Sequence, residues 1–145
     1  MEEKKDFQEK LMRYQILDNR IKALMNRRDF LLGRILEIEN TLSSVEEVQK
    51  SKGDEIFLPL GSSVHVPGTL HKTKNMIVEL GADVAIECTT ERAKEILEKR
   101  KKIIEDGLQA IEKELVNLSN DLLKLEPEIR TILEKTKGPQ ELEAG

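Results

Sequence analysis

Two seven-residue repeats of equal length, one in each half of the chain, constrain this sequence more than any other feature. Alternate steps of three and four from Phe7 meet Lys10, Tyr14, Leu17, Ile21, Leu24, Arg28, Leu31, Ile35, Ile38, Leu42 and Val45, of which only Lys10 and Arg28 are charged. The same steps from Lys94 meet Leu97, Lys101, Ile104, Leu108, Ile111, Leu115, Leu118, Leu122, Leu125, Ile129 and Ile132, where the lysines alone are charged. A repeat held this long specifies a helix that supercoils against a partner. Equal lengths, joined by a segment that reverses the chain, specify an antiparallel pair with flush ends, each arm about 57 Å long at 1.5 Å per residue. Composition agrees. With 36% charged and 3% aromatic residues, the 145-residue chain is a poor recipe for a globular core, whereas a seam needs only about two apolar residues in seven. Leu11, Met25, Leu32 and Leu36 lie beside the first seam and widen its stripe.

Between the repeats, Gly53 to Thr90 is the one β-like stretch. Short runs of aliphatic and β-branched residues are punctuated by Gly61, Gly68 and Gly81, and Pro59 and Pro67 would break a helix. Four strands follow: Ile56, Leu58 and Leu60 lie on the first, Val64, Val66 and Leu70 on the second. Met76, Val78 and Leu80 form one face of the third, and Val84, Ile86 and Cys88 one face of the fourth. Gly61-Ser62 and Gly81-Ala82 read as turns and Lys72-Thr73-Lys74-Asn75 as a third, which gives two successive hairpins. Such hairpins cannot bury a core alone, and their edges stay open to pairing. Because the helices are committed to each other, the expected partners are equivalent hairpins of other chains, closing a sheet or barrel between subunits through these apolar residues.

The expected fold is therefore α+β and mostly α: a long antiparallel helical-hairpin coiled coil with two central β-hairpins that assemble into an intersubunit β-barrel. Residues 1–52 form the first helix, closed by Lys50, Lys52 and a left-handed Gly53; residues 53–89 form the hairpins and the oligomerisation body. Residues 90–135 form the second helix, capped by Thr89 or Thr90 with Glu91 in its first turn. The last stretch, 136–145, contains Gly138-Pro139 and reads as a disordered tail. Pro127 predicts a kink or fraying, and Arg28, opposite Ile111, is expected to reach Glu112 or Glu114.

A formal net charge of -4 argues against a nucleic-acid partner, and Lys99 to Lys102, flanked by Glu95, Glu98, Glu105 and Asp106, reads as a solvated helix face. No apolar run reaches membrane length and the first residues are charged, so the expected location is cytoplasmic. Cys88 has no partner for an intrachain disulfide. His65 and His71 read as strand residues, and neither a metal, a cofactor nor an enzyme's nucleophile–base set is expected. At the free ends of the arms, Phe7, Leu11, Tyr14, Ile129, Ile132 and Leu133 finish the apolar stripes. On the heptads alone, one class open to such a chain is a structural coiled-coil assembly or filament-forming homo-oligomer without clients.

Leu58-Pro59-Leu60-Gly61 followed by Val64-His65-Val66-Pro67-Gly68, and the run Val78-Glu79-Leu80-Gly81-Ala82-Asp83-Val84-Ala85-Ile86-Glu87, resemble the hairpin signatures of prefoldin. Two hairpins rather than one resemble its α-class subunit. The resemblance implies an ATP-independent chaperone, a hexamer of two α-class and four β-class subunits with a β-barrel body and coiled-coil tentacles. Tentacle tips of that family hold unfolded polypeptides and pass them to a group II chaperonin. The resemblance implies Phe7, Leu11, Tyr14, Ile129, Ile132 and Leu133 as the candidates for holding non-native polypeptide, the alternative being that they only finish the seam. Where the family commonly has Gly-x-Gly, this chain has Gly81-Ala82-Asp83. The departure bears on partner choice, between β-class subunits, another subunit and self-association; Asp tolerates a left-handed backbone better than most residues.

Overall fold

The computed structural model describes residues 2–71 and 75–144, with side chains through Lys135. Helix α1 covers Glu2–Lys50, strands β1 to β4 cover Glu55–Gly61, Val64–Thr69, Asn75–Gly81 and Val84–Thr89, and helix α2 covers Thr90–Ala144. The chain divides into an outer unit, Met1–Gly33 with Glu105–Gly145, and a hairpin unit, Arg34–Ile104.

In the outer unit the α1 seam positions from Phe7 to Leu31 are all buried or half-buried, and the described residues between them are exposed apart from Asp18. On α2 the seam positions from Leu108 to Ile132 are likewise covered, with Leu115, Leu125 and Ile129 at 9% exposure or less. Pairing is antiparallel: Lys10 meets Glu128 at 3.5 Å, the Tyr14 hydroxyl donates to Glu126 at 3.4 Å, and Arg20 meets Glu114 at 3.1 Å. Each fully buried seam aliphatic contributes about 1.5–3 kcal/mol, against about 0.2–1 for an exposed ion pair. The seam therefore sets stability, and the ion pairs refine register.

Arg28 departs from the expectation. Its Nε lies 3.6 Å from Asp29 on its own helix, while Glu114 is engaged by both Nε and Nη2 of Arg20. Helix α2 runs on through Pro127. That residue lies on the exposed face, so the Leu123 carbonyl deprived of its donor faces solvent, and the Thr131 hydroxyl donates to the Pro127 carbonyl at 2.8 Å.

In the hairpin unit the covered seam continues from Ile35 to Val45 and from Lys94 to Ile104, with Ile38 and Val45 buried. Thr89 is the cap of α2, its hydroxyl accepting from the Arg92 amide at 3.1 Å. Gln49 bridges the helices, donating to Glu91 at 2.9 Å and accepting from Lys94 at 2.8 Å. Gly53 adopts the left-handed φ of +86° just past α1. Strand β1 pairs with β2 and β3 with β4, both antiparallel, as two separate two-stranded sheets. Leu70 follows β2 rather than lying in it, though its amide still donates to the Asp54 carbonyl at 3.1 Å. The connection expected at Lys72-Thr73-Lys74 lies outside the described residues.

The turns fall one residue later than expected. Gly61 and Gly81 end strands at φ +115° and +104°, next to register shifts that leave Leu60 and Leu80 as extra residues. The two-residue loops are Ser62-Ser63, at φ +46° and +66°, and Ala82-Asp83, at +51° and +60°, the sign pattern of type I′ turns. Ala has no side-chain hydrogen bond to offset a left-handed backbone, which costs about 1–2 kcal/mol. Ala82→Asn should therefore raise stability by about 1 kcal/mol. The expected readout is a higher denaturant midpoint at fixed protein concentration with slower amide exchange in β3 and β4; an unchanged midpoint would show a relaxed turn.

Candidate functional site

Each unit leaves apolar side chains uncovered. In the outer unit, Leu11 from α1 and Leu133 from α2 lie beside the seam, and each is 38% exposed. Together with Tyr14, Glu126, Ile129 and Arg130 they line a hollow of about 230 Å³. Ile129, buried in the seam, is its floor; Tyr14 is half-buried and anchored through Glu126. Partial burial first, then the negative charge of Glu126, pushes the Tyr14 phenol above its ordinary range, so it stays a neutral donor.

Of the six residues singled out from the sequence, the hollow gathers Leu11, Tyr14, Ile129 and Leu133. Ile132 lines a larger, polar hollow of about 550 Å³ with Glu3, Asp6, Lys10, Glu128, Thr131 and Lys135. Phe7 is half-buried and lines neither. Lys10 is held by Asp6 at 3.2 Å, and the hydrogen bond to Asp6 is the main cause of its raised pKa, so this second hollow is charged and internally paired. An apolar segment is better received by the smaller one.

In the hairpin unit the cross-strand pairs Leu58 with Val66 and Val78 with Ile86 set one face of each hairpin. Ile56 lies on the first face too, since a Cβ built on Gly68 would meet its side chain at 3.9 Å and that of Leu58 at 3.6 Å. Ile56, Leu70, Met76, Val78, Ile86 and Cys88 are half-buried. Leu60 is 69% exposed, Val64 56%, Val84 54%, Leu58 and Leu80 49% and Val66 39%. Phe57 and Ile77, on the opposite faces, are also exposed and were missed in the sequence reading. Their signal was an apolar residue at an outward strand position between polar or proline neighbours, Glu55 and Pro59 or Asn75 and Glu79. Arg100 of α2 donates to the Glu79 carbonyl at 2.6 Å and ties the second hairpin to its helix.

Among the described residues, no group of His, Cys, Asp and Glu could hold a metal ion, and no helix is long and apolar enough to cross a membrane.

The family pattern described as Prefoldin subunit matches residues 17–135. Prefoldin subunit alpha 1 of Thermococcus kodakarensis is 31% identical over 101 residues, covering 68% of both chains. Prefoldin subunit alpha 2 of the same organism is 38% identical over 52 residues, a match that spans 36% of this chain and 37% of that one. A filamentous prefoldin from Methanocaldococcus jannaschii, solved by cryo-electron microscopy, superposes with a TM-score of 0.69 at 19% identity, covering 83% of this chain and 98% of that one. Matched heptads, two hairpins with exposed apolar faces and a family pattern that runs from α1 to the end of the described side chains converge: the chain belongs to the prefoldin family, and it is similar to that family's archaeal α-class subunits.

Proposed function

We propose that this chain is a subunit of an ATP-independent chaperone that holds unfolded polypeptides at the ends of its paired helices and delivers them to a group II chaperonin in the cytoplasm. The observation that carries the reading is the hollow of Leu11, Tyr14, Ile129 and Leu133, whose rim leucines no other part of the outer unit covers. Family membership supports a chaperone role, and several arms acting together would hold clients through weak single contacts. The hairpin faces would pair with those of β-class prefoldin subunits, in a hexamer of two α-class and four β-class chains with a shared β-barrel. Self-assembly into a filament is the second reading, prompted by the filamentous state of the M. jannaschii protein of like fold. Native mass spectrometry, alone and with a β-class partner, separates them: a discrete hexamer only with the partner supports the first, open-ended homo-oligomers the second.

Client holding is tested by Leu11→Ser with Leu133→Ser. Both residues are on the rim, so the paired helices should remain. Each leucine buried against a client contributes at most about 1.5–3 kcal/mol, so affinity per arm should fall on the order of tenfold or more. Suppression of aggregation of a chemically denatured enzyme, at equal concentration of assembled protein, should weaken accordingly. Undiminished suppression would move the client site elsewhere.

A further inference from the structure

One wall of the apolar hollow carries two opposite charges. Glu126 and Arg130 both line it from α2, one helical turn apart, a spacing at which a carboxylate and a guanidinium ordinarily pair. Here they do not pair. Glu126 instead turns across to α1, where its Oε1 accepts from the Tyr14 hydroxyl at 3.4 Å. Among the described residues that long hydrogen bond is the one side-chain contact of Glu126, and the exposed Arg130 has neither an ion pair nor a hydrogen bond. A carboxylate offers about four acceptor sites and a guanidinium about five donors. The half-buried Glu126 is therefore short of donors beside an apolar floor, and Arg130 is short of acceptors. Tyr14 supplies no further donor, because its single hydroxyl proton already points to Glu126.

We propose that this wall reads the backbone of an extended client segment, with Glu126 accepting a peptide N–H and Arg130 donating to a peptide C=O. A neighbouring apolar side chain of the client would rest on Ile129 between Leu11 and Leu133. The inference rests on the client-holding reading above and names what the hollow takes. A carboxylate alone would favour basic segments and a guanidinium alone acidic ones, whereas the two on one wall favour a neutral group that carries both a donor and an acceptor. The peptide backbone is such a group. In an extended chain the N–H and C=O of one residue point to the same side, as in the hydrogen-bonded pairs of an antiparallel ladder. Size agrees, since a hollow of about 230 Å³ lies below the roughly 300–1,000 Å³ of small-molecule pockets and suits a side chain rather than a compact ligand. A folded protein has its backbone groups paired, while an unfolded one offers them beside its apolar side chains, so such a wall tells the two apart.

The probe is a short, capped, uncharged peptide with a central leucine pair, prepared with free amides and with the amides at and beside the leucines N-methylated. Affinity for the assembled full-length protein is read by NMR titration. N-methylation should weaken binding about tenfold, the loss of one hydrogen bond to a charged group. In Glu126→Met that penalty should vanish, with the helical circular dichroism signal unchanged, and Arg130→Met should weaken the free-amide peptide several-fold. Leu11→Ser with Leu133→Ser should weaken both peptides alike, because it removes apolar contact and leaves the wall in place. No penalty for N-methylation, or a penalty of the same size in Glu126→Met, would overturn the backbone reading while a loss of both peptides in the rim variant kept the client hollow. Insensitivity of both peptides to the rim variant would overturn the hollow and this proposal with it. A lysine-flanked peptide that binds tighter than the uncharged one and loses that advantage in Glu126→Met would make the occupant a charged side chain and overturn the proposal, as would a glutamate-flanked peptide that does so in Arg130→Met.

Discussion

Val66→Asp and Ile86→Asp should each abolish assembly while leaving the paired helices formed. Val66 faces Leu58 across the first hairpin and Ile86 faces Val78 across the second, so each lies on the apolar face proposed to meet other subunits. In the single chain Val66 is already 39% exposed and Ile86 half-buried, so an aspartate at either site stays partly hydrated before assembly. Closing a sheet over that carboxylate would remove its water without supplying a cation, a cost of several kcal/mol, roughly, for each subunit. At about 1.4 kcal/mol per tenfold, assembly should weaken by two or more orders of magnitude at each variant interface. The expected result is a helical circular dichroism signal close to that of the unaltered protein with a light-scattering mass reduced to small species. Ser62→Asp, at an exposed turn, is the control and should assemble normally. Assembly at unchanged stoichiometry in both face variants would mean that these residues point outward, and the burden of the interface would pass to the opposite faces carrying Phe57 and Ile77.

The helices were legible because a seam writes itself into every third or fourth residue, and all the positions counted from Phe7 to Val45 and from Lys94 to Ile132 are covered in the structure. The hairpins were legible from their glycines and prolines, though the loops were placed one residue early. Gly61 and Gly81 attract a turn assignment by composition, yet their positive φ serves the strand ends, and the left-handed loop positions fall to serines, Ala82 and Asp83. Arg28 could not be assigned a partner by position, because Arg20 competes for the same Glu114 and an adjacent Asp29 is nearer. The candidate site was legible only in outline. Heptad position marks Ile129 as covered and leaves Leu11 and Leu133 beside the seam, but only the packed helices show that these residues and Tyr14 share one hollow while Ile132 turns to another.

Deleting Met1–Lys10 together with Glu128–Gly145 should remove most client holding without changing subunit stoichiometry. The deletion takes away Phe7, Ile129, Ile132 and Leu133, hence the floor and one rim of the apolar hollow, and all of the polar hollow's lining. It leaves the seam of the outer unit from Tyr14 to Leu31 and from Leu108 to Leu125, including buried Leu24, Leu115 and Leu125. With three of its buried aliphatics retained at about 1.5–3 kcal/mol each, the shortened pair should still fold. Because Arg34–Ile104 is untouched, the proposed interface is intact, and native mass spectrometry should report the same number of subunits at lower mass. The rim variant Leu11→Ser with Leu133→Ser leaves Tyr14 and Ile129 in place, so the truncation should be the more severe of the two. In an aggregation assay with a chemically denatured enzyme at matched concentrations of assembled protein, suppression should fall to a small fraction of that of the full-length protein. Full suppression by the truncated protein, with its assembly verified, would place the client surface along the remaining helices or on the hairpin unit and would return Phe7, Ile129, Ile132 and Leu133 to a purely packing role.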